Sequence, residues 1–396
     1  MKMNIIFGEK ESFDKLKPLK KFFISLVFGI IFLNGFVFVE PAPVEYLLTL
    51  SIPFFLILGK IRMKPLFIFL FLSFINLFSF LVTANITSTI NIRFLIINLY
   101  MFLTFFLFSM INVKEFDKSF SDKLFMFWTI SVFVNFFFYV VGVIISKNIF
   151  FGATVIGFGI RFQGFFKDPN VMGPFIIIPL MYWINKFLVK RNFASFLVVL
   201  FLSVSLLLTF SRGAYINFLV AFLFDIFLIK NKKLYSKVKF RNIFTIGVGM
   251  ILIIVLILIL NPVIFGVSIR DFAIQRFRIM QSYDVDRFKA QKAVIDLIKE
   301  SPLFGIGIGN YNINVNYAAH NSFVRILGET GTIGFLLSIL MLMFILSDRW
   351  LQLKNKTNNI AFVLYSCFVG ILAESFFIDT LHWRFLWIIL GLLYAI

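Results

Sequence analysis

Cysteine, histidine and acidic residues are scarce in this chain, and each scarcity closes a class of chemistry. Cysteine occurs once, as Cys367 inside an apolar run. A lone thiol forms no intrachain disulfide and no CxxC or multi-thiolate metal site. The two histidines, His320 and His382, lie far apart in sequence, which argues against a histidine-rich metal centre. Charged residues make up only 14% of the 396 positions, against about 25% in an average soluble domain. The residues are 60% hydrophobic and the mean hydropathy is +0.97. These values exclude a soluble globular domain and indicate an all-α, polytopic transmembrane bundle. The formal charge of +19 would favour nucleic acid in a soluble protein. Here most of it sits in short loops between apolar runs, so no nucleic-acid partner is expected.

Twelve apolar runs are candidates to cross the membrane: 21–39, 44–59, 65–83, 92–110, 124–146, 170–186, 193–210, 213–230, 242–260, 323–347, 359–378 and 383–396. The first run follows a basic segment and lacks a small-residue cleavage site, so it reads as a retained span. With the N-terminus in the cytoplasm, 24 of the 38 Lys and Arg fall on the inner side. Of the other 14, eight lie between Arg270 and Arg325. The positive-inside rule therefore places both termini in the cytoplasm and the long polar segment outside, in a bacterial inner membrane. The domain reading is one membrane domain over 1–396, with a periplasmic loop at 261–322.

That loop holds Arg270, Arg276, Arg278, Arg287, Lys289, Lys292 and Lys299, and ends at His320-Asn321. Cations retained on the side where they are normally scarce point to a function. Arginines beside one histidine suit a lipid-linked phosphate substrate. Within the loop, Asp286 to Glu300 reads as an amphipathic helix, with Phe288, Val294, Leu297 and Ile298 on its apolar side. Asp284 or Asp286 serves as its cap; the alternative for Asp284-Val285-Asp286 is a paired-acid metal motif. Ser301-Pro302 stops the helix. The run GIGIGN, Gly305 to Asn310, lacks both the Gly-Lys-Ser/Thr of a phosphate loop and the spacing of a dinucleotide fold. It reads as a tight turn directing the chain back to the bundle.

Four outward groups carry the chemistry: RFQGFFKDPN from Arg161 to Asn170, Ser211-Arg212-Gly213, the arginine-rich loop, and His320-Asn321-Ser322 followed by GETG from Gly328 to Gly331. The stretches RFQGFFKDPN, TFSRG, SPLFGIGIGNY and HNSFVRILGETGTIGF resemble the O-antigen ligase and O-antigen polymerase superfamily of bacterial envelope glycosyltransferases. The likeness runs from about Arg161 to Asp348, with a ligase-like core expected at 195–350. It implies transfer of a glycan from an undecaprenyl-pyrophosphate carrier to a sugar hydroxyl on the periplasmic face. The acceptor would be lipid A-core for a ligase or a growing glycan for a polymerase, with membrane lipids around the bundle. By the same resemblance, Arg212, Arg287 and His320 match catalytic positions. Arg161, Arg270, Arg276, Arg278 and Asn321 are candidate substrate-binding residues. No cofactor and no metal are expected.

The residue types fit that chemistry independently. A pyrophosphate leaving group gathers negative charge, and guanidinium groups meet its oxygens as planar forks. The acceptor hydroxyl must lose a proton, for which histidine is suited near neutral pH. Bland roles compete at each position. Arg212 could snorkel from a span end, Arg287 could solvate a surface helix, and Arg270, Arg276 and Arg278 could bind lipid headgroups. Arg161 and Asp168 could pair structurally, and His382 could join Trp383 in an interfacial aromatic belt. Glu329 and Glu374 could order the arginines or act as the base. A transporter is the competing class of function, but the halves show no matching repeats.

Overall fold

The computed structural model describes residues 17–83, 89–113, 119–157, 159–230, 240–278, 282–299, 301–311, 320–354 and 359–396. Each of the twelve apolar runs coincides with a helix. In chain order these are α1 (Lys17–Leu33), α2 (Pro43–Leu58), α3 (Met63–Thr83), α4 (Thr89–Ser109), α5 (Phe120–Ile144), α6 (Pro169–Lys190), α7 (Phe193–Leu208), α8 (Arg212–Lys230), α9 (Phe240–Leu260), α12 (Ser322–Lys354), α13 (Asn359–Glu374) and α14 (Arg384–Ala395). Between α9 and α12 lie two polar helices, α10 (Ile269–Arg276) and α11 (Ser282–Ile298). Among the described residues five helices, α3, α4, α5, α6 and α12, are long and apolar enough to cross a membrane; α2, α7, α9, α13 and α14 are shorter apolar helices. Their outer faces carry exposed Phe74, Leu81, Leu336 and Leu340, as expected where lipid is the solvent. The protein is a multi-pass membrane protein.

Among the described residues, three antiparallel hairpins of two-residue strands accompany the helices. They pair β1 (Ile149–Phe150) with β2 (Ala153–Thr154), β3 (Ile156–Gly157) with β4 (Arg161–Phe162), and β5 (Val263–Ile264) with β6 (Val267–Ser268). Strands this short carry no period-two pattern, so the sequence announces none of them.

Helix α6 is the hub, packed against α5, α7, α8 and α13. Asp168 caps it, accepting from the Asn170 amide at 2.8 Å, and Pro169 occupies the first helical position, where no amide is needed. Its close approach to α8 depends on Gly173, where a Cβ would stand 2.4 Å from the Ala214 Cβ. The tightest remaining pairs are α8 with α13 and α4 with α14. The connections that follow α1, α5, α7, α9 and α13 lie at one end of the bundle, here termed the loop end. At the opposite end Arg62 donates to the Ile111 and Ala395 carbonyls, closing the last turns of neighbouring chain segments.

Helix α12 is broken near its start. Gly331 has φ +67°, a left-handed conformation inside a helix. The break exposes main-chain groups, and residues 302–307 satisfy them. Ile306 and Gly307 donate to the Gly328 and Glu329 carbonyls at 2.9 and 3.0 Å, while Thr332 and Ile333 donate to Pro302 and Leu303 at 3.0 and 3.2 Å. A Cβ on Gly331 would lie 2.4 Å from the Gly305 amide nitrogen and the Leu303 carbonyl. The glycines of GIGIGN and GETG thus let two backbones touch. Helix α11 sits on the same spot, with Val294 2.6 Å from where a Gly328 Cβ would be. Its buried side is Ala290 and Val294, joined by Leu297 and Ile298 against Tyr311, Ile306 and Val324. Phe288, expected on that side, is 59% exposed instead. The side chains of Asp284 and Asp286 lie outside the described residues.

Candidate functional site

The loop-end connection between α7 and α8 contains Thr209, Phe210 and Ser211, with Phe210 at φ +47°. The turn is held from below by polar contacts. Arg161 is buried; its Nε donates to the Thr209 carbonyl at 2.7 Å and its Nη2 to Asn170 Oδ1 at 2.8 Å. Ser211 Oγ donates to the same Asn170 oxygen at 2.9 Å. Asn170 therefore joins Arg161, the turn and Asp168, whose carboxylate accepts its amide. Beneath Gly213 lies the fully buried Glu374, which accepts from Asn217 Nδ2 at 2.7 Å. A Cβ on Gly213 would come within 3.0 Å of its Oε1.

From above, the turn is covered by α10. Arg276 Nη2 donates to the Phe210 carbonyl at 3.3 Å, and Arg212 Nη1 donates to the Arg278 carbonyl at 3.2 Å. Phe272 meets Phe210 edge-on at 5.0 Å, and Phe277 stacks on Tyr215 at 6.1 Å. Two arginines thus cross between the turn and the end of α10, Arg276 on the Phe210 carbonyl and Arg212 on that of Arg278. Arg278 is exposed at this junction, whereas Arg270 is exposed at the opposite end of α10.

His320 is half-buried immediately before α12, with φ +44°. Asn321 caps the helix, its Oδ1 accepting from the Phe323 and Val324 amides at 2.9 and 3.1 Å. Ser322 pins this start to the corner after α13, donating its amide to the Ser375 carbonyl at 2.9 Å. Burial lowers the His320 pKa below the ordinary histidine value, and Arg287 lowers it further; Asp168 and Asp379 act in the opposite sense. Arg287, half-buried on α11, and Asp168 at the head of α6 therefore share one electrostatic field with His320. The structure brings together Arg212, Arg276 and Arg278 with Arg161 beneath them, and it couples Arg287 to His320. Arg270 stands apart.

A second polar cluster lies beside this one, and most of it escapes sequence reading. Arg325, on the first turn of α12, pairs with Asp379 and, at 3.2 Å, with Glu329. Asp379 also approaches His382 Nδ1 at 3.5 Å, and His382 Nε2 reaches Asn98 Oδ1 at 3.1 Å. Glu329 Oε1 also accepts from the Gly309 amide at 3.2 Å. Burial raises the Asp379 pKa, but Arg325 and His382 outweigh it and hold the carboxyl below its usual range. Burial and Arg325 push His382 down to about 4, so it is neutral at physiological pH. The only sequence signal was the i, i+4 spacing of Arg325 and Glu329. Glu329 orders this buried arginine, and His382 is a member of a hydrogen-bonded network that also borders Trp383.

Residues 197–339 match the Wzy_C family model, described as O-antigen ligase. Over these residues the chain is similar to the O-antigen ligase family. No curated protein matches the chain. The matched segment takes in the α7–α8 turn, α10, α11, His320 and the broken start of α12. Arg161, Asp168, Asp379 and His382 contact or influence that segment from outside the matched residues. The family is one of glycan-joining enzymes, and lipid-linked glycans are its substrates.

Proposed function

We propose that the protein transfers a glycan from undecaprenyl pyrophosphate to an acceptor sugar hydroxyl at the periplasmic face, in the manner of an O-antigen ligase. In this reading the twelve helices span the inner membrane with both termini in the cytoplasm, a topology that the distribution of Lys and Arg supports. What supports the reading is a half-buried His320 on which Arg287 acts electrostatically, at a helix start tied to Ser375, next to the Glu374 that lies beneath Gly213 of the arginine-crossed α7–α8 turn. The neutral imidazole takes the proton of the acceptor hydroxyl. The acceptor oxygen forms its bond to the anomeric carbon as the carbon–phosphate oxygen bond breaks. The electron pair leaves on the pyrophosphate, and Arg212 and Arg287 neutralise it. A single displacement inverts the anomeric centre. The proton passes from His320 to water, and neither metal nor nucleotide takes part.

Arg161 supports the turn in this scheme, Arg276 and Arg278 hold α10 over it, and Arg270 serves lipid headgroups or the distal glycan. Asn321 sets the start of α12 and thereby the direction of His320. Deleting the gene in the native host tests the reading. Long polymer accumulating on the carrier with bare core lipid identifies a ligase, and single repeats identify a polymerase. An unchanged glycolipid profile overturns both.

A further inference from the structure

Beside the matched segment, the loop end contains a cleft of about 870 Å³ built from four separate segments. Asn34 and Glu40 come from the α1–α2 connection, and Arg93 and Tyr100 from α4. Lys167 precedes α6, His382 precedes α14, and Arg384 opens it. Its volume lies within the roughly 300–1,000 Å³ of small-molecule sites.

The lining alternates in sign. Glu40 bridges Arg93 at 2.8 Å and Lys167 at 2.6 Å, and Glu45 accepts from Arg384 Nε at 2.9 Å. Each cation already faces a carboxylate, so the cleft does not select a free phosphate. Planar guanidinium and carboxylate groups side by side both donate and accept, as the neighbouring hydroxyls of a sugar ring require. Two buried donors on the lining, Asn34 Nδ2 and Tyr100 Oη, have no hydrogen-bond partner among the described residues. Buried polar atoms are nearly always satisfied, so such a pair marks a place where a polar ligand belongs. Phe94 and Tyr100 add the apolar faces on which sugar rings rest.

Position joins this cleft to the site already described. Lys167, on one rim, is the neighbour of Asp168, and His382, on the other, touches Asp379. Asp168 and Asp379 are the two carboxylates whose fields act on His320. On the far side of Asp168, Asn170 bonds Arg161 and Ser211 beneath the arginine-crossed turn. The start of α6 therefore stands between the cleft and that turn.

We propose that this cleft is the acceptor subsite, holding the terminal sugars of the acceptor oligosaccharide so that one hydroxyl is presented to His320 while the carrier pyrophosphate occupies the arginine side. The assignment of acceptor rests on the glycan-transfer reading. The polyhydroxylated ligand follows from the lining itself.

The test uses the full chain in lipid nanodiscs and a fluorophore-tagged oligosaccharide released by mild acid from the native host's own envelope glycolipids. Wild type binds it. Glu40→Gln combined with Arg93→Ala weakens binding about tenfold or more, the loss expected of charge-assisted hydrogen bonds. Tyr100→Phe is the more telling variant. Its hydroxyl has no hydrogen-bond partner among the described residues, so the melting temperature holds while affinity falls severalfold. Binding unchanged in Tyr100→Phe and in the double variant, or no binding by wild type, overturns the subsite. Transfer from carrier-linked donor is scored separately. Binding that depends on the cleft without any transfer defeats the glycosyltransfer reading alone. Transfer whose acceptor KM ignores these substitutions defeats the cleft alone.

Discussion

Arg212 donates to the main-chain carbonyl of Arg278, 66 residues further on, while Arg276 of the same loop returns a bond to Phe210. The contact locks a polar loop to the turn between two apolar helices. It also keeps a guanidinium, with its planar set of five N–H donors, at the rim of the bundle.

Replacing Arg212 by Ala therefore removes both a clamp and a charge. If Arg212 meets the leaving pyrophosphate, kcat/KM for transfer falls by about 10²–10³, the usual loss for one donor to a developing anion. Arg212→Lys keeps the charge but not the planar fork, so it recovers little. Steady-state transfer by purified variants of matched melting temperature is the check.

The pH profile reads the His320 environment. Its pKa is lowered by burial and then by Arg287, so the neutral base persists below the ordinary histidine range. The acid limb of kcat/KM should lie below about 6.5, the unperturbed value. Arg287→Gln removes a cation that disfavours the imidazolium, so the limb moves to higher pH. Asp379→Asn removes an anion that favours it, so the limb moves lower. A limb that stays in place in both variants means that His320 is not the titrating base.

Gly331 and Gly152 share a left-handed backbone but not a neighbourhood. At Gly331 a Cβ would sit 2.4 Å from backbone of residues 303–305, whereas at Gly152 nothing lies within 4 Å. Gly152→Ala costs only backbone strain, about 1 kcal/mol. Gly331→Ala adds displacement of the strap from the broken helix, so its melting temperature drops further and transfer is lost with it. Thermal unfolding of the two variants in the same detergent measures the difference.

Asn321 has a sharper test. As the cap of α12 its loss costs about 1 kcal/mol, and Asp restores it because a carboxylate accepts the same amides. Asn321→Asp should therefore match wild type in melting temperature and in acceptor KM. A normal melting temperature with a raised KM would instead place the Asn321 amide on the substrate.

The helices were legible because hydropathy is a local property, and each apolar run met a helix. The His320-Asn321 motif and the amphipathic segment around Val294 were equally local. What the sequence hid depends on contacts across distance. Arg325 meets Asp379 54 residues away, and Arg161 meets Thr209 48 residues away. The break at Gly331 is invisible within α12 because its partners are Pro302 and Leu303. Phe288 fell on the wrong side because α11 turns its small residues, Ala290 and Val294, toward Gly328. The cleft draws on four segments whose charges look like ordinary loop residues when read singly.

The most direct measurement is transfer by the purified full chain in nanodiscs, supplied with carrier-linked glycan and acceptor but no nucleotide, ATP or ion gradient. The predicted result is one undecaprenyl pyrophosphate released per glycosidic bond formed by wild type, with none from a folded His320→Ala protein. No bond formation by wild type, or transfer undiminished in His320→Ala, would contradict the account.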